Sequence, residues 1–349
     1  MKYKVVETNN NPFGDYFEIS NPSYHQTIQK HYVKTNELVL NSETSILLTE
    51  FRKDKDKQAD NVLLYFCGYD DYFYHFHIFK YEKKNIDVIV VDIPGFGYNK
   101  RYPKNNSYPV ASRFNFYDKL EDIVKYLSVA FDYIKNELPY ENTYLYGHST
   151  GGNIIINYLN WLQCKAKPIE FTRVLLCSPL TRFYDPSPIK LVLLVIFAIL
   201  VSLIDQFFDI NALIHGTNKV SDKTFYNKAL NNIHGTNDLC YINFNYTGKV
   251  KQPAFAGWIA FVELYTRIIK MTKVQIDCPV RMVTSQSYGT TGYFNTDAYL
   301  NPEYMVEDCK EMFKNLEYRQ FKVGHDALLD PSDNGYATTY VDILDYLLN

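Results

Sequence analysis

The stretch Thr143 to Leu159, TYLYGHSTGGNIIINYL, constrains the fold more than any other part of the chain. Its left end, Asn142 to Tyr146, is short, apolar and aromatic, as a buried strand is. Its right end, from Gly152 to Leu162, carries Ile154, Ile155, Tyr158, Leu159 and Leu162 at helical spacing. Between them, Gly147-His148-Ser149-Thr150-Gly151 fits G-x-S-x-G. A strand that becomes a helix over so few residues must turn sharply, and residues without a Cβ let neighbouring segments close on the turn. Gly147 and Gly151 therefore flank a serine expected at the tip of a strained turn. The following helix aims its free N–H groups and the positive end of its dipole at Ser149. An oxyanion forming there is stabilised. A chain with 15 glycines can match the pattern by chance, but chance does not supply a strand before it and a helix after it.

The rest of the chain repeats the strand-then-helix rhythm that a mostly parallel sheet requires. The expected strands are Ser45–Phe51, Asn61–Cys67, Asp87–Asp92, Asn142–Tyr146, Arg173–Cys177, Val280–Ser285 and Tyr318–Val323. The expected helices are Tyr117–Lys135, Gly152–Leu162, Pro302–Asn315 and Asn334–Leu348. No internal repeat is visible. The rhythm breaks between about Pro179 and Asp277, so an α/β core over 1–178 and 278–349 is expected to carry an inserted, mainly helical cap over 179–277. The insertion contains LVLLVIFAILVSLI (Leu191–Ile204) and a helix-like segment, Ala254–Met271. The apolar run is shorter than the ~20 residues of a membrane span. It admits three readings: a buried cap helix, an amphiphilic lid that meets lipid or an apolar substrate, or a transmembrane helix.

A net charge of -3 gives no footprint for nucleic acid. The six cysteines are scattered with no C-x-x-C pair, and several follow strand-like runs, so buried reduced thiols in a reducing compartment are expected. The N-terminal MKYKVVETNNNPFGDYFEIS has no apolar region of the kind a secretory leader carries, and the expected location is cytoplasmic.

A serine needs a base within hydrogen-bond reach and a group that orients the base. On a strand–turn–helix of this kind the chain order is serine, acid, histidine. Of the histidines after Ser149, His215 and His234 fall in the insertion, while His325 (KVGHDALLDP) opens the loop after the last expected strand and is the candidate base. His148 is too close to Ser149 to serve and is expected to pack or hydrogen-bond locally. The acid should follow the strand Val280–Ser285, where Asp297 is the first carboxylate in the loop. Asp277 lies at the wrong end of that strand, Glu307 and Asp308 fall in an expected helix, and Asp326 adjoins His325, so its side chain points elsewhere. Asp297 is favoured over these; otherwise it caps the helix near Pro302 or sits in a surface turn. The oxyanion donors should be the N–H of Thr150 and that of Tyr69, in the loop where Gly68 permits a tight turn. His75 and His77 form an H-x-H pair without further ligands at suitable local spacing, so no metal is expected.

These segments together resemble the α/β-hydrolase superfamily, and within it the serine-aminopeptidase-like hydrolases that include monoacylglycerol lipases and lysophospholipases. The resemblance runs from about Ser45 to the C-terminus. It rests on Phe66–Phe73 (FCGYDDYF) as the oxyanion loop, Asp92–Gly97 (DIPGFG) as the turn after the next strand, and Gly147–Gly152 (GHSTGG) as the nucleophile elbow. Asn295–Leu300 with Gly324–Asp326 resemble the acid and base segments. Cys67 stands where that family usually has histidine, which implies an altered oxyanion hole. The resemblance implies a serine hydrolase without cofactor, acting on a small-molecule carboxylic ester, with a lipid-like ester or monoacylglycerol favoured by the apolar insertion. It leaves room for peripheral membrane contact through the cap. A peptidase or amidase of the same fold has no acidic cluster here to bind a substrate amine. A catalytically silent scaffold that binds a lipid or a protein has only Cys67 in its favour. Oligomeric state is not readable from these residues.

Overall fold

The computed structural model describes residues 3–8, 17–19, 32–41, 44–69, 71, 73, 75, 85–97, 99, 119–138, 140–182, 189, 192, 193, 196, 200, 213–215, 240–242, 254–289, 296, 297, 299–329 and 342–347. Nine strands form the central sheet: β1 (Lys4–Thr8), β2 (Tyr32–Val39), β3 (Ser45–Arg52), β4 (Asn61–Phe66), β5 (Ile86–Asp92), β6 (Asn142–His148), β7 (Arg173–Cys177), β8 (Val280–Ser285) and β9 (Leu316–Phe321). Their spatial order is β1-β2-β3-β5-β4-β6-β7-β8-β9. From β5 to β9 every neighbouring pair is parallel, whereas β1, β2 and β3 extend the sheet antiparallel on the β5 side. Parallel strands are covered on both faces and so read as continuous apolar runs; all seven residues of β5 (IDVIVVD) are buried. The parallel strands carry their C-terminal ends to one edge, where ligands bind in open α/β sheets.

All seven expected strands are present, β7 and β8 with the same bounds and β9 two residues earlier than expected. The structure adds β1 and β2, which the sequence reading did not mark. Helix α1 (Leu120–Glu137) buries Ile123, Leu127, Ala130 and Ile134 along one stripe. Helix α2 (Thr150–Cys164) buries Ile154, Ile155, Tyr158, Leu159 and Leu162, the residues whose spacing predicted it. Helix α4 (Pro302–Met312) begins at the N-cap Asn301, whose side chain accepts from Glu303 N at 3.0 Å, with Pro302 in the first turn. The cap near Pro302 is therefore Asn301, and Asp297 is left for other work. Of the expected C-terminal helix, 342–347 is helical, and 334–341 and 348 fall outside the described residues.

Strands β7 and β8 are direct parallel neighbours, so the residues between Cys177 and Val280 leave the sheet and return to it. Within them, helix α3 (Ala256–Thr272) buries Trp258, Phe261, Val262 and Ile269 and exposes Leu264, Ile268 and Met271. A short antiparallel ribbon also lies there, Leu213–His215 with Ala254–Phe255, and Cys240–Ile242 pairs antiparallel with Phe17–Ile19 from the N-terminal part of the chain. In the apolar run and just before it, the described positions 189, 192, 193, 196 and 200 are helical. They share one face, and Ile189, Val192, Leu193, Ile196 and Leu200 are 48–74% exposed. That face is not the buried one a core helix would present. Among the described residues no helix is long and apolar enough to cross a membrane. Five described cysteines are free: Cys67, Cys177, Cys278 and Cys309 are buried and Cys164 is exposed.

Candidate active site

Strand β6 ends at His148, and helix α2 begins at Thr150, so the whole turn is Ser149. Ser149 has φ 50° and ψ -112°, a backbone that side chains rarely adopt and that persists only where surrounding contacts hold it. Those contacts are backbone bonds: Ser149 N donates to Cys177 O at 2.9 Å, and Leu180 N and Asn153 N donate to Ser149 O at 2.9 and 3.2 Å. The flanking glycines are required by close approach. A Cβ on Gly151 would lie 2.3 Å from Phe66 O and 2.7 Å from Cys67 O, and one on Gly147 would lie 2.8 Å from Gly152 Cα. The elbow is thus seated on the backbone of the loop after β4. Gly151→Ala is expected to destabilise the fold by about 1–3 kcal/mol or more, because backbone must move to admit the methyl group. The measurement is the thermal midpoint by circular dichroism, and an unchanged midpoint would contradict this packing.

The carboxylate and the imidazole meet at the same edge of the sheet. Asp297 Oδ2 lies 2.8 Å from His325 Nδ1. Asp297 Oδ1 accepts from Tyr299 N and Leu300 N, each at 2.8 Å, and the side chain is fully buried. The carboxylate comes late in its loop because the chain runs past the end of β8 and then returns. Tyr288 and Asp297 form an isolated parallel bridge, with Asp297 N donating to Ser287 O at 2.9 Å and Gly289 N donating to Asp297 O at 3.0 Å. His325 opens the loop after β9 and keeps part of its side chain accessible, with the Tyr299 ring 5.2 Å away. In the loop after β4, Gly68 approaches the elbow so closely that a Cβ there would lie 3.3 Å from Ser149 Cβ. Tyr69 follows and stacks on Trp258 of α3 at 4.9 Å, which ties this loop to the residues between β7 and β8. Cys67 is buried and donates its S–H to Asp92 Oδ1 at 3.7 Å.

Behind these residues lies a buried polar cluster that the sequence reading did not assemble. His148, expected to pack or hydrogen-bond locally, is buried, and its Nδ1 donates to Asp71 Oδ2 at 3.0 Å. His75 Nε2 lies 2.9 Å from Asp326 Oδ2, and His75 Nδ1 lies 2.9 Å from Tyr65 Oη. Asp326 does point away from His325, as its position predicted, and its other oxygen accepts from Leu328 N at 3.1 Å. Burial works against a charge on His148, but the Asp326 charge, the hydrogen bond and charge of Asp71, and the Asp297 charge raise its pKa to about 9. Burial likewise opposes ionisation of Asp326, yet the attraction of His75 and His148 holds its carboxyl well below the usual range. Burial pushes the Cys177 thiol beneath the elbow up to about 12, so it is no rival nucleophile. Among the described residues one set has metal-ligand proximity: Asp71, His148 and Asp326 offer donor atoms within 4.8 Å of one another. Hydrogen bonds already join Asp71 to His148 and Asp326 to His75, which accounts for the set without an ion. His75 belongs to this cluster, and His77 lies outside the described residues.

A hollow of about 550 Å³ lined by Phe131, Tyr158, Trp161 and Phe171 is not lined by Ser149, Asp297 or His325. The chemistry-bearing side chains are at the other edge, so that is where the site is sought. The family described by the α/β-hydrolase fold matches the chain over residues 66–332. No curated protein matches it in sequence. Among solved structures, a soluble variant of monoglyceride lipase from Saccharomyces cerevisiae, in complex with a substrate analogue, aligns with TM-score 0.59 at 14% identity, over 92% of this chain and 95% of that one. The monoacylglycerol lipase of Paleococcus ferrophilus aligns with TM-score 0.53 at 14% identity, over 86% and 98%. An acetyl xylan esterase from Paenibacillus sp. R4 aligns with TM-score 0.51 at 10% identity, over 99% and 89%. At these identities the likeness is one of fold. The family match covers most of the chain, including the loop after β4, the elbow and the segments of Asp297 and His325, and the protein belongs to the α/β-hydrolase fold family.

Proposed function

We propose that this chain is a serine hydrolase that cleaves a carboxylic ester through an acyl-enzyme. The observation that carries the reading is the 2.8 Å contact between His325 Nδ1 and Asp297 Oδ2, with Asp297 locked by two backbone N–H groups, on the sheet edge where the Ser149 elbow stands. Ser149 Oγ attacks the ester carbonyl, and His325 takes its proton through Nε2 and delivers it to the departing alcohol. Asp297 fixes the Nδ1–H tautomer and stabilises the imidazolium. Water then enters by the same base and releases the acid. The N–H groups of Tyr69 and Thr150 receive the oxyanion, and losing one such donor typically costs ~3 kcal/mol. Residues 179–277 form a cap over the sheet edge, between core segments 1–178 and 278–349. The stacking of Tyr69 on Trp258 supports contact between that cap and the oxyanion loop. No cofactor enters these steps.

The substrate is proposed to be lipid-like, with monoacylglycerol as the model. Two solved monoglyceride lipases share this fold at TM-scores of 0.59 and 0.53. The exposed apolar face at Ile189, Val192, Leu193, Ile196 and Leu200 supports both an apolar substrate and peripheral contact of the cap with lipid. Hydrolysis of p-nitrophenyl esters from acetate to octanoate tests both levels. Octanoate is expected to exceed acetate by about tenfold or more in kcat/KM, since methylenes entering an apolar pocket each contribute to transition-state binding. No turnover of any ester would overturn the hydrolase reading. Turnover with strong preference for acetate would overturn only the lipid-like substrate.

A further inference from the structure

We infer that His148 is a positioning residue for the oxyanion donors: hydrogen-bonded to Asp71 and with the Asp326 carboxylate nearby, it seats the loop of Gly68 and Tyr69 on the Ser149 elbow and places a positive charge beside the developing oxyanion. The inference rests on the serine-hydrolase reading of the same site. Its basis is the way three loops converge on one buried ring.

Asp71 Oδ2 takes two donors, Gly68 N at 3.3 Å and His148 Nδ1 at 3.0 Å. One carboxylate oxygen therefore joins the backbone of the oxyanion loop to the last residue of β6. Nothing separates the two segments. A Cβ on Gly68 would lie 3.0 Å from His148 Nδ1 and 3.3 Å from Ser149 Cβ. The Asp326 carboxylate lies within 4.8 Å of a His148 ring nitrogen, although His148 Nε2 has no hydrogen-bond partner among the described residues, and the orientation of Asp326 is set by His75 Nε2 and Leu328 N. Asp326 directly follows His325, so the loop that carries the base meets the loop that carries the donor at His148. The His148 ring lies 5.0 Å from the His325 ring, within the same small volume as the chemistry.

The charge state follows from the neighbours. A buried neutral histidine would leave the Asp71 carboxylate with weaker compensation, and a buried carboxylate needs a charged partner or several donors. His148 with its pKa near 9 is an imidazolium at neutral pH. Its hydrogen bond to Asp71 is then charge-assisted, shorter-ranged in its tolerance and stronger than a neutral one. A fixed cation in a water-poor site needs no reorganisation when the carbonyl oxygen becomes negative, which is the condition for electrostatic catalysis. Removing the cation takes the charged partner away from the buried Asp71 carboxylate that also holds Gly68 N, and the loop relaxes away from the elbow.

The test compares wild type, His148→Leu, Asp71→Asn and the double variant in ester hydrolysis. It adds inhibition by an alkyl boronic acid, whose tetrahedral adduct puts an oxygen where the oxyanion forms. Each single variant is expected to lose about 100-fold in kcat, the effect of a displaced oxyanion donor, with KM within about twofold. Boronate affinity should fall in parallel with kcat. The double variant should be no worse than the poorer single one, because both remove the same bond. A merely structural role would lower the melting midpoint without moving boronate affinity. Retained kcat and retained boronate affinity would overturn the inference, as would effects of the two substitutions that add in full. If His148→Leu does not fold cooperatively, Asp71→Asn alone decides, since it keeps the shape and removes the charge. Wild type that neither hydrolyses esters nor reacts with a fluorophosphonate overturns the hydrolase reading together with this one. Active wild type with unaffected variants overturns this one alone.

Discussion

Ser149→Ala is expected to abolish fluorophosphonate labelling and to lower ester hydrolysis by roughly 10⁴- to 10⁶-fold, the range seen when a triad nucleophile is removed. The substitution is clean for structural reasons. The elbow is held by backbone bonds from Ser149 N to Cys177 O and into Ser149 O from Leu180 N and Asn153 N, all of which alanine keeps. The serine side chain makes no capping bond to helix α2, so none is lost. At φ 50° alanine carries the same strain as serine, so the melting midpoint should stay near that of wild type. Ser149→Gly, free of that strain, should melt higher than Ser149→Ala while remaining equally inactive. Labelling of the alanine variant at the wild-type level would remove Ser149 from the mechanism, and with it the reading of the turn as a nucleophile elbow.

The elbow was legible because its determinants are local. A buried strand, two glycines and an amphipathic helix within twenty-odd residues leave the serine only one place to stand, and the structure puts α2 and its apolar face where the spacing put them. The parallel strands were legible for the same reason: burial on both faces writes itself as an uninterrupted apolar run. Strands β1 and β2 were not, because YVKTNELV carries four consecutive polar residues, Lys34 to Glu37, between its apolar ends, and that pattern reads as readily as surface loop. The exposed side of the helix at 189–200 could not be read either. A run that is apolar all round has no hydrophobic direction, so periodicity is silent about which face is covered. The polar cluster behind the elbow was invisible for a different reason. His75 and Asp326 lie 251 positions apart, and Asp71 and His148 lie 77 apart. Each is an ordinary charged or aromatic residue in its own segment. Only the order of β4, β6 and β9 in the sheet, with their C-terminal ends on one edge, brings them together.

The same long-range closure explains why Asp297 had to be inferred by elimination, and it makes the second large effect specific. Asp297→Asn is expected to reduce kcat by about 10⁴-fold with the fold intact. An asparagine retains an oxygen for the N–H groups of Tyr299 and Leu300, so the amide NH₂ turns toward His325 Nδ1. Two donors cannot share a hydrogen bond. His325 must then present Nδ1 as acceptor and carry its proton on Nε2, where it can no longer take the proton of Ser149. The loss is one of tautomer, so KM should change little and the melting midpoint should hold. Asp326→Asn makes the opposite pattern. Its carboxylate faces His75 and contributes to the charge on His148, and its partners are buried. Its removal should lower the midpoint, because a buried carboxylate hydrogen bond is broken, and should cost less in kcat than Asp297→Asn because His325 keeps its orienting partner. Both variants should be compared over a range of pH with circular dichroism on the same preparations. A wild-type rate for Asp297→Asn would reject its assignment. A larger kinetic loss for Asp326→Asn at an unchanged midpoint would transfer the orienting role to Asp326, against the direction in which its carboxylate is held.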